Sequence, residues 1–481
     1  MNNLGSAIKS RGGKVFLCAV IFRLIFLIWS WLPWLAEPQD GMSKLYFKEG
    51  YGLAVGYGYI SSEGNGGPQL KALYELVNDQ KAPLNAQTAP PLDRNNVWPE
   101  MLHPPGMAAL IAGLYRLLHV PSDLPLELVG LLLDSISAVL LCEVVARAWS
   151  PALGYAVGLA YAFFPPLAYG AASSRSPEGL MGVFITSTVF CVWMAIQPGQ
   201  RRWLAWSLLA GLTLGVGSYF RPDYLLLPVA LGLGAWAITR RFWISVRNLI
   251  IVQMLAVVLL LPWAWRNHEF CGRWIFTSTS VGPTLITGLG EFKNPWGFGG
   301  SDTDRRKEAV AQGFVGPWGS DADAYFRSLF WKSITAHPSG YVTSVIKRIP
   351  LAIAPPLDWG LQNPWKEQTF VVVRQNNDQD RYEVLSSRVG HTLLAYGDLL
   401  IIGGVCLVAL ICWGYLLVRE RARWAICAFL ISPHLYAIGS HLLTHFEPRF
   451  LLPSIGWLLI APTYVVLASR GRKNGLSKSV V

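Results

Sequence analysis

The acidic residue best placed for chemistry is Asp40, which follows the first long apolar segment by six residues, within Glu37-Pro-Gln-Asp40-Gly41. A carboxylate at a membrane surface can take a proton from an attacking hydroxyl group while a lipid phosphate leaves. The alternative account is a solvated loop acid with no part in catalysis. The loop pattern by itself favours that second account, so the choice depends on the rest of the chain.

Two charged residues, Arg23 and Asp134, fall inside long apolar segments. An isolated charge within a membrane costs several kcal/mol and normally finds a partner. We therefore expect these two residues to pair with each other across a helix bundle. This pairing predicts a structural role rather than a catalytic one.

A group of histidines near the carboxyl end suggests a metal site. His441 and His445 lie one helical turn apart, with His434 and Glu447 nearby. Leu442 occupies the position of the glutamate in the His-Glu-x-x-His motif of zinc hydrolases. We therefore predict no metal at these residues and expect the histidines to lie at helix ends.

The elements that must position these residues are membrane-spanning helices. The 481-residue chain is 52 % hydrophobic and only 14 % charged, unlike a soluble protein. Ten stretches reach the roughly 17 to 25 apolar residues that cross a bilayer. They lie near residues 15–34, 126–147, 152–171, 179–197, 203–219, 223–239, 247–265, 395–418, 424–441 and 450–468. A shorter stretch, about 105–119, is an eleventh, uncertain helix that is half-inserted or interfacial.

The net charge of +11 is concentrated at the ends of the apolar segments. Positive residues collect on the cytoplasmic side of membrane proteins. Clusters at 9–14, 201–202, 240–247, 419–423 and 470–478 therefore predict cytoplasmic termini and two extracytoplasmic inserts. No cytoplasmic loop is long enough for a nucleotide-binding domain, so any substrate is membrane-borne or extracytoplasmic.

The chain divides into six predicted regions. They are a cytoplasmic N-terminus with the first helix (1–34), a first extracytoplasmic loop (35–104), a transmembrane bundle (105–265), a second extracytoplasmic insert (266–394), C-terminal transmembrane helices (395–468) and a basic cytoplasmic tail (469–481). Within the inserts, the patterns predict helices near 69–79, 303–313 and 320–336.

Several different short motifs follow one another along the chain. They are Asp40, the Gly/Tyr-rich run 51–59, His103-Pro-Pro-Gly106, Phe164-Pro-Pro166, Ser176-Pro-Glu178, Arg221-Pro222, Pro262-Trp-Ala-Trp-Arg266-Asn267, Thr287-Gly288 and Glu447-Pro-Arg449-Phe450-Leu-Leu-Pro453. This set resembles the GT-C superfamily of polyprenyl-phosphate-dependent glycosyltransferases, in particular the protein-mannosyltransferase and lipid A aminoarabinose transferase branch. The resemblance covers almost the whole chain. It implies an all-α bundle of 10–11 transmembrane helices with two extracytoplasmic inserts.

The resemblance implies a transferase that moves a sugar, with inversion, from a polyprenyl-phosphate donor to an extracytoplasmic hydroxyl. Asp40 is then the general base, and Glu178 is a second catalytic acid that orients the acceptor or holds a basic partner. Many members carry a tyrosine four residues after the catalytic aspartate, where this chain has Lys44. That departure leaves Glu37 and Glu49 as alternative bases.

The same resemblance implies a donor-phosphate site formed by His103, Arg266 and Arg449. Guanidinium groups keep their charge and bind oxygens in pairs, which suits a departing phosphate. The alternative accounts are arginines at helix ends whose head groups reach water, and an ordinary loop histidine.

The expected partners are a polyprenyl-phosphate-linked sugar, a protein, lipid or glycan acceptor, and membrane lipid, with no nucleic acid. No cofactor is required, and a divalent metal is possible but not indicated. The expected location is the cytoplasmic (inner) membrane, with the site on the extracytoplasmic face. One rival class is a transporter or flippase, which predicts inverted repeats that the sequence does not show. Another is an O-antigen ligase or polymerase, which lacks the early loop aspartate followed by a Pro-Pro segment.

Overall fold

A computed structural model describes residues 10–31, 41–61, 66–79, 89–93, 97–119, 124–172, 177–314, 316, 318–355, 371–372, 382–383 and 399–473. Most of the described chain is helical, which confirms the predicted all-α membrane architecture. The exceptions with regular structure are two short strands, β1 (Val371–Val372) and β2 (Tyr382–Glu383), which pair antiparallel.

The helices are numbered in chain order. They are α1 (Arg11–Trp31), α2 (Gly41–Ala54), α3 (Gly66–Asp79), α4 (Gly106–Leu118), α5 (Leu124–Ala148), α6 (Pro151–Ala162), α7 (Pro165–Ala172), α8 (Glu178–Ala195), α9 (Trp203–Ser218), α10 (Leu227–Thr239), α11 (Phe242–Cys271), α12 (Val281–Gly290), α13 (Asp302–Ala311), α14 (Ser320–Ala336), α15 (Pro338–Ile353), α16 (Gly404–Arg419), α17 (Trp424–Leu443), α18 (Ile455–Leu458) and α19 (Ile460–Lys473). Short 3-10 turns cover Pro222–Tyr224, Arg421–Arg423 and Pro448–Ser454, and a π-turn covers Leu399–Gly403.

Seven of the described helical segments are long and apolar enough to cross a bilayer. They are Leu124–Ala148, Glu178–Ala195, Pro222–Thr239, Phe242–Cys271, Ile401–Arg419, Arg421–Leu443 and Pro448–Arg470. Helices α6 and α7 make an eighth span as a bent pair. The 21-residue α1 and the 16-residue α9 occupy the remaining two predicted positions. The protein is therefore a multi-pass membrane protein with helices at all ten predicted positions.

The structure differs from the predicted spans at 152–171 and at 247–265. The span predicted at 152–171 consists of two helices with a bend of 56° between their directions. The bend arises because Pro165 and Pro166 have no N–H to continue the first helix. The span predicted to end at residue 265 continues as α11 to Cys271, through Pro262. The extra turn carries Arg266 and Asn267 within the helix.

The short apolar segment at 105–119 forms α4, a helix of 13 residues. At 1.5 Å per residue it is about 20 Å long, too short for a hydrocarbon core of about 30 Å. Its buried face packs on α2 through Met107 and Ile111. Helix α4 therefore belongs to the first insert and does not change the order of the spans.

The two inserts have small apolar cores of their own. In the first, Tyr51, Leu70 and Leu73 from α2 and α3 pack against α4. In the second, Ile286 and Phe326 join α12 to α14. The helices predicted near 69–79, 303–313 and 320–336 are observed as α3, α13 and α14, which confirms those three predictions.

Arg23 and Asp134 form the predicted ion pair inside the bundle. Arg23 Nε donates to Asp134 Oδ2 at 2.6 Å, and both side chains are almost fully buried. The Arg23 guanidinium also donates to the carbonyl groups of Ala19 and Ala162. Tyr161 donates its hydroxyl to the other Asp134 oxygen. These contacts join α1, α5 and α6 and confirm the predicted pairing.

Removing one partner of this pair should cost more stability than removing both. We expect Arg23→Leu to lower the free energy of unfolding by about 3–5 kcal/mol, because it leaves the Asp134 charge buried without its partner. The double variant with Asp134→Leu should recover much of that loss. Thermal unfolding in detergent measures both variants, and equal or greater loss in the double variant would contradict the pairing.

Candidate active site

Charged residues from distant parts of the chain meet where several helices begin or end on one side of the bundle. Glu178 is the first residue of α8, and Arg221 lies between α9 and α10. Glu447 and Arg449 follow α17. Pro177 is the N-cap residue of α8, and Pro222 and Pro448 are the first residues of two 3-10 turns. Proline suits the start of a helix because its missing N–H would be unpaired there.

Glu178 is the centre of this group and is only 3 % exposed. Arg221 Nη1 forms an ion pair with Glu178 Oε1. Arg449 Nε lies 3.6 Å from the same oxygen. Arg221 also pairs with Asp223 at 2.6 Å, and its guanidinium stacks 4.2 Å above the Phe450 ring. Two guanidinium groups therefore converge on one buried carboxylate.

The two arginines differ in exposure. The Arg221 side chain is 15 % exposed, whereas that of Arg449 is 36 % exposed. Arg449 Nε also lies 2.5 Å from Glu447 Oε2. Burial opposes the charge on Glu447, but the hydrogen bond from His445 and the charge of Arg449 hold its pKa well below the usual range. Arg449 is thus the guanidinium of this pair that an incoming anion reaches more readily.

His445 links this group to the second insert. Its ring lies between Glu291, just after α12, and Glu447, with His445 Nε2 3.2 Å from Glu447 Oε1. Glu291 also accepts from Arg348 Nε at 2.7 Å. Arg348 is fully buried and donates to the carbonyl of Leu442 at the end of α17. These contacts connect the second insert to the loop that carries Arg449.

The contacts of His445 with Glu291 and Glu447 should weaken at alkaline pH. Burial disfavours the charge, but hydrogen bonds to Glu291 and Glu447 raise the pKa of His445 to about 9. A histidine whose pKa is higher in the folded than in the unfolded state stabilises the fold while it is protonated. This stabilisation is complete below the unfolded-state pKa of about 6.5 and is lost as pH rises through 9. We expect the melting temperature to fall between pH 7 and pH 10, and to fall less in His445→Gln. An equal fall in both proteins would contradict this assignment.

A second group lies beside the first. Glu49 in α2, Glu100 and His103 place one ligand atom each within 4.8 Å of one another. Both carboxylates are 1 % exposed. The Tyr59 hydroxyl lies 3.4 Å from Glu49 Oε2 and donates to the His103 carbonyl at 3.1 Å. In the part of the chain that the structure describes, these are the residues that could together hold a metal ion.

Tyr46 and His103 connect the two groups. Their rings lie 5.0 Å apart. Burial, followed by the charges of Glu178 and Glu49, raises the pKa of Tyr46. Burial lowers the pKa of His103 despite the nearby Glu100 carboxylate. A neutral imidazole can serve a donor phosphate as a hydrogen-bond donor, but it supplies no counter-charge.

Arg266 lies behind the second group and is not one of the arginines that contact Glu178. Its guanidinium donates to the carbonyls of Glu100 at 2.7 Å and Tyr59 at 2.6 Å. The rings of Trp263 and Phe270 each lie 4.9 Å from it. Arg266 therefore fixes the segments that carry the second group.

The predicted site residues thus fall into three sets. Glu178 and Arg449 lie together, while Glu49 and His103 lie together with Arg266 behind them. Asp40 and Glu37 lie outside the described residues. The histidines near the carboxyl end have separate partners, since His434 hydrogen-bonds to Ser454 and the His441 ring lies against Phe450.

Sequence reasoning did not assign a role to five residues of this region. They are Glu100, Arg221, Asp223, Glu291 and Arg348. Arg221 and Asp223 flank a proline at a break between two apolar spans, and paired charges at such a break were the available signal. Glu291 and Arg348 lie within an insert that has many charged residues, and nothing in its spacing distinguishes them.

Residues 102–265 match the family model described as dolichyl-phosphate-mannose-protein mannosyltransferase. A search of curated proteins finds no match. The family match includes His103, Glu178 and Arg221, and its last residue precedes Arg266. It confirms the resemblance to GT-C glycosyltransferases that the ordered motifs predict.

Proposed function

We propose that this GT-C-type membrane glycosyltransferase transfers a sugar, with inversion, from a polyprenyl phosphate to an acceptor hydroxyl outside the cytoplasm. The observation that carries the proposal is the pair of guanidinium groups around Glu178, at one end of a bundle that matches the mannosyltransferase family over residues 102–265. The expected partners remain the lipid-linked donor and a protein, lipid or glycan acceptor.

The position of the charged groups supports a lipid-phosphate donor. Arg221 and Arg449 lie at helix ends, where the phosphate of a membrane-anchored lipid would enter the site. The reaction increases the charge on the phosphate oxygens as a diester becomes a monoester. Fixed cationic donors aimed at those oxygens lower the barrier. We assign this role to Arg449 first, with Arg221 as its buried neighbour.

The position of α2 supports Asp40 as the base. Asp40 is the residue before Gly41, at which α2 begins, and Tyr46 lies five residues into that helix. Five residues of helix span about 7.5 Å. Tyr46 contacts His103 and is influenced by the charges of Glu178, Arg221 and Arg449. The start of α2 therefore lies about 7.5 Å along the helix from Tyr46, whose surroundings include Glu178 and both arginines.

The proposed step is a single displacement. The Asp40 carboxylate takes the proton of the acceptor hydroxyl, and the acceptor oxygen forms a bond to the anomeric carbon. The bond from that carbon to the phosphate oxygen breaks, and its electron pair stays on the polyprenyl phosphate. Attack opposite the leaving group inverts the anomeric configuration. The step uses carboxylate and guanidinium groups and requires no organic cofactor.

Glu178 serves this step by holding the arginines. Its carboxylate is almost fully buried and contacts both guanidinium groups. We therefore propose that Glu178 positions Arg221 and Arg449, and that Arg266 and His103 shape the adjacent wall. Among the other carboxylates, Glu49 remains an alternative base, as does Glu37.

The distribution of basic residues supports an extracytoplasmic site. Arg201 and Arg202 follow α8, and Arg240 and Arg241 follow α10, so these turns lie at the opposite end of the spans from Glu178 and Arg221. The positive-inside rule places these turns in the cytoplasm. We propose an inner-membrane location with both termini cytoplasmic.

The test is a transfer assay with purified protein in detergent. Radiolabelled sugars on polyprenyl phosphate are incubated with protein and a crude membrane extract as the acceptor. We expect label to move to acceptor material and polyprenyl monophosphate to accumulate in equal amount. Absence of transfer from every donor, with folded protein, would overturn the proposal.

A further inference from the structure

We propose that Glu49, Glu100 and His103 form a binding site for one divalent transition-metal ion, Zn²⁺ or Mn²⁺. The ion would fasten α2 to the loop before α4. This inference concerns ion binding and does not depend on the proposed transfer reaction.

The geometry brings three ligands together from separate segments. Glu49 lies in α2, whereas Glu100 and His103 lie in the loop before α4. One ligand atom from each lies within 4.8 Å of the other two. Ligands around a tetrahedral ion at about 2.1 Å lie about 3.4 Å apart, so the side chains need to close by at most roughly 1.4 Å. Side-chain rotation is sufficient for such a change.

The burial of the donor atoms is an independent observation that points to a ligand. His103 Nδ1 is buried and makes no hydrogen bond within the described part of the chain. It faces Glu100 Oε1 at 3.9 Å, beyond hydrogen-bonding distance. Glu100 is 1 % exposed and has no arginine or lysine within ion-pair distance among the described residues. A cation between them would satisfy both groups.

The surrounding contacts hold the ligands in place. Residues 59–61 pair with 98–100, where Ser61 N donates to the Trp98 carbonyl at 2.7 Å. Arg266 donates to the carbonyls of Tyr59 and Glu100 on either side of that pairing. The His103 backbone N–H donates to Glu100 Oε1 at 3.0 Å. Hydrogen bonds of this kind to the ligands and their backbone orient the ligands in metal sites.

The donor set selects the class of ion. Two carboxylates and one imidazole suit Zn²⁺ or Mn²⁺, whereas Mg²⁺ and Ca²⁺ prefer oxygen ligands alone. Three protein ligands leave at least one coordination position for another group. This site is separate from the carboxyl-terminal histidines, because His434 hydrogen-bonds to Ser454 and the His441 ring lies against Phe450.

The bound ion has a defined structural consequence. Helix α2 carries Tyr46 and begins directly after Asp40. Fastening Glu49 to the loop would fix the position of this helix beside the Glu178 group. Loss of the ion is therefore expected to loosen the first insert while leaving the transmembrane bundle folded.

The experiment measures metal content and stability without any sugar donor. Purified full-length protein is loaded with Zn²⁺ or Mn²⁺, desalted and analysed by mass spectrometry for metals. We expect about one ion per chain in the wild type and at least a tenfold reduction in Glu100→Gln and His103→Ala. Glu75→Gln, at an exposed acid of the same insert, is the matched control and should retain the ion.

Thermal unfolding of the loaded wild-type protein gives a second measurement, with Glu100→Gln as its control. Chelation of the loaded wild-type protein should lower its melting temperature, and the same ion should restore it. Chelation should have no effect on Glu100→Gln, even if that variant is less stable. Wild-type protein that retains no ion after loading, or a Glu100→Gln variant with the wild-type ion content, would overturn the proposal. Failure of the transfer assay would leave this result unaffected.

Discussion

Replacing Asp40 with asparagine is expected to reduce sugar transfer by about 10²–10⁴-fold, the contribution typical of a general base. Asparagine retains the size of the side chain but cannot accept the hydroxyl proton. Donor binding depends on the arginines and should therefore change little. The measurement is the initial transfer rate at saturating donor, together with donor affinity, for folded protein in detergent.

Glu37→Gln is the matched control for this variant, because it removes a carboxylate three residues earlier in the same loop. It should retain transfer. If Glu37→Gln abolished transfer and Asp40→Asn did not, the base would be Glu37. Glu49→Gln distinguishes the remaining alternative when its metal content and its transfer rate are measured on the same sample.

Removing the Arg449 guanidinium should have the second large effect. We expect Arg449→Ala to lower the transfer rate by about 10²–10³-fold, the usual cost of losing a donor aimed at developing negative charge. Arg449→Lys should recover only part of the rate, since an ammonium group lacks the planar paired donors of arginine. The rate is measured with a natural donor over a range of donor concentrations.

Arg273→Ala serves as the control for the loss of a positive charge. Arg273 is 47 % exposed and pairs with Asp321 in the second insert, outside the Glu178 group. Its removal should leave transfer nearly unchanged. Equal rates for Arg449→Ala and wild type would assign the phosphate to other groups, with Arg221 as the first candidate.

The transmembrane architecture was predictable because a bilayer imposes strong constraints on sequence. Apolar length identifies the spans, and basic clusters indicate their direction. The bend between α6 and α7 was also encoded locally, in Pro165 and Pro166, but its angle depends on packing. The extension of α11 past residue 265 was not visible, because a polar helical turn outside the membrane has the same composition as a loop.

The active-site contacts were less predictable, because they join residues far apart in the sequence. Arg221 meets Glu178 across 43 residues, and His445 meets Glu291 across 154. Such pairs form only after the helices have packed. The ordered motifs identified Glu178 and Arg449 separately, but not their contact through one carboxylate oxygen. Arg266 was assigned to the donor phosphate from the family resemblance, which does not reveal its hydrogen bonds to carbonyl groups.

The ion-paired side chains that the structure describes around Glu178 balance one another in charge. Among the described residues, Arg221, Arg348, Arg449 and protonated His445 face Glu178, Asp223, Glu291 and Glu447. To bind, a donor diester with one negative charge must displace these carboxylates from the guanidinium groups. The same carboxylates compete with the monoester product for the guanidinium groups, because the Arg221–Glu178 and Arg449–Glu447 ion pairs can form again when the product leaves. Product release is thus assisted by the ion pairs that form again between the arginines and carboxylates of the site.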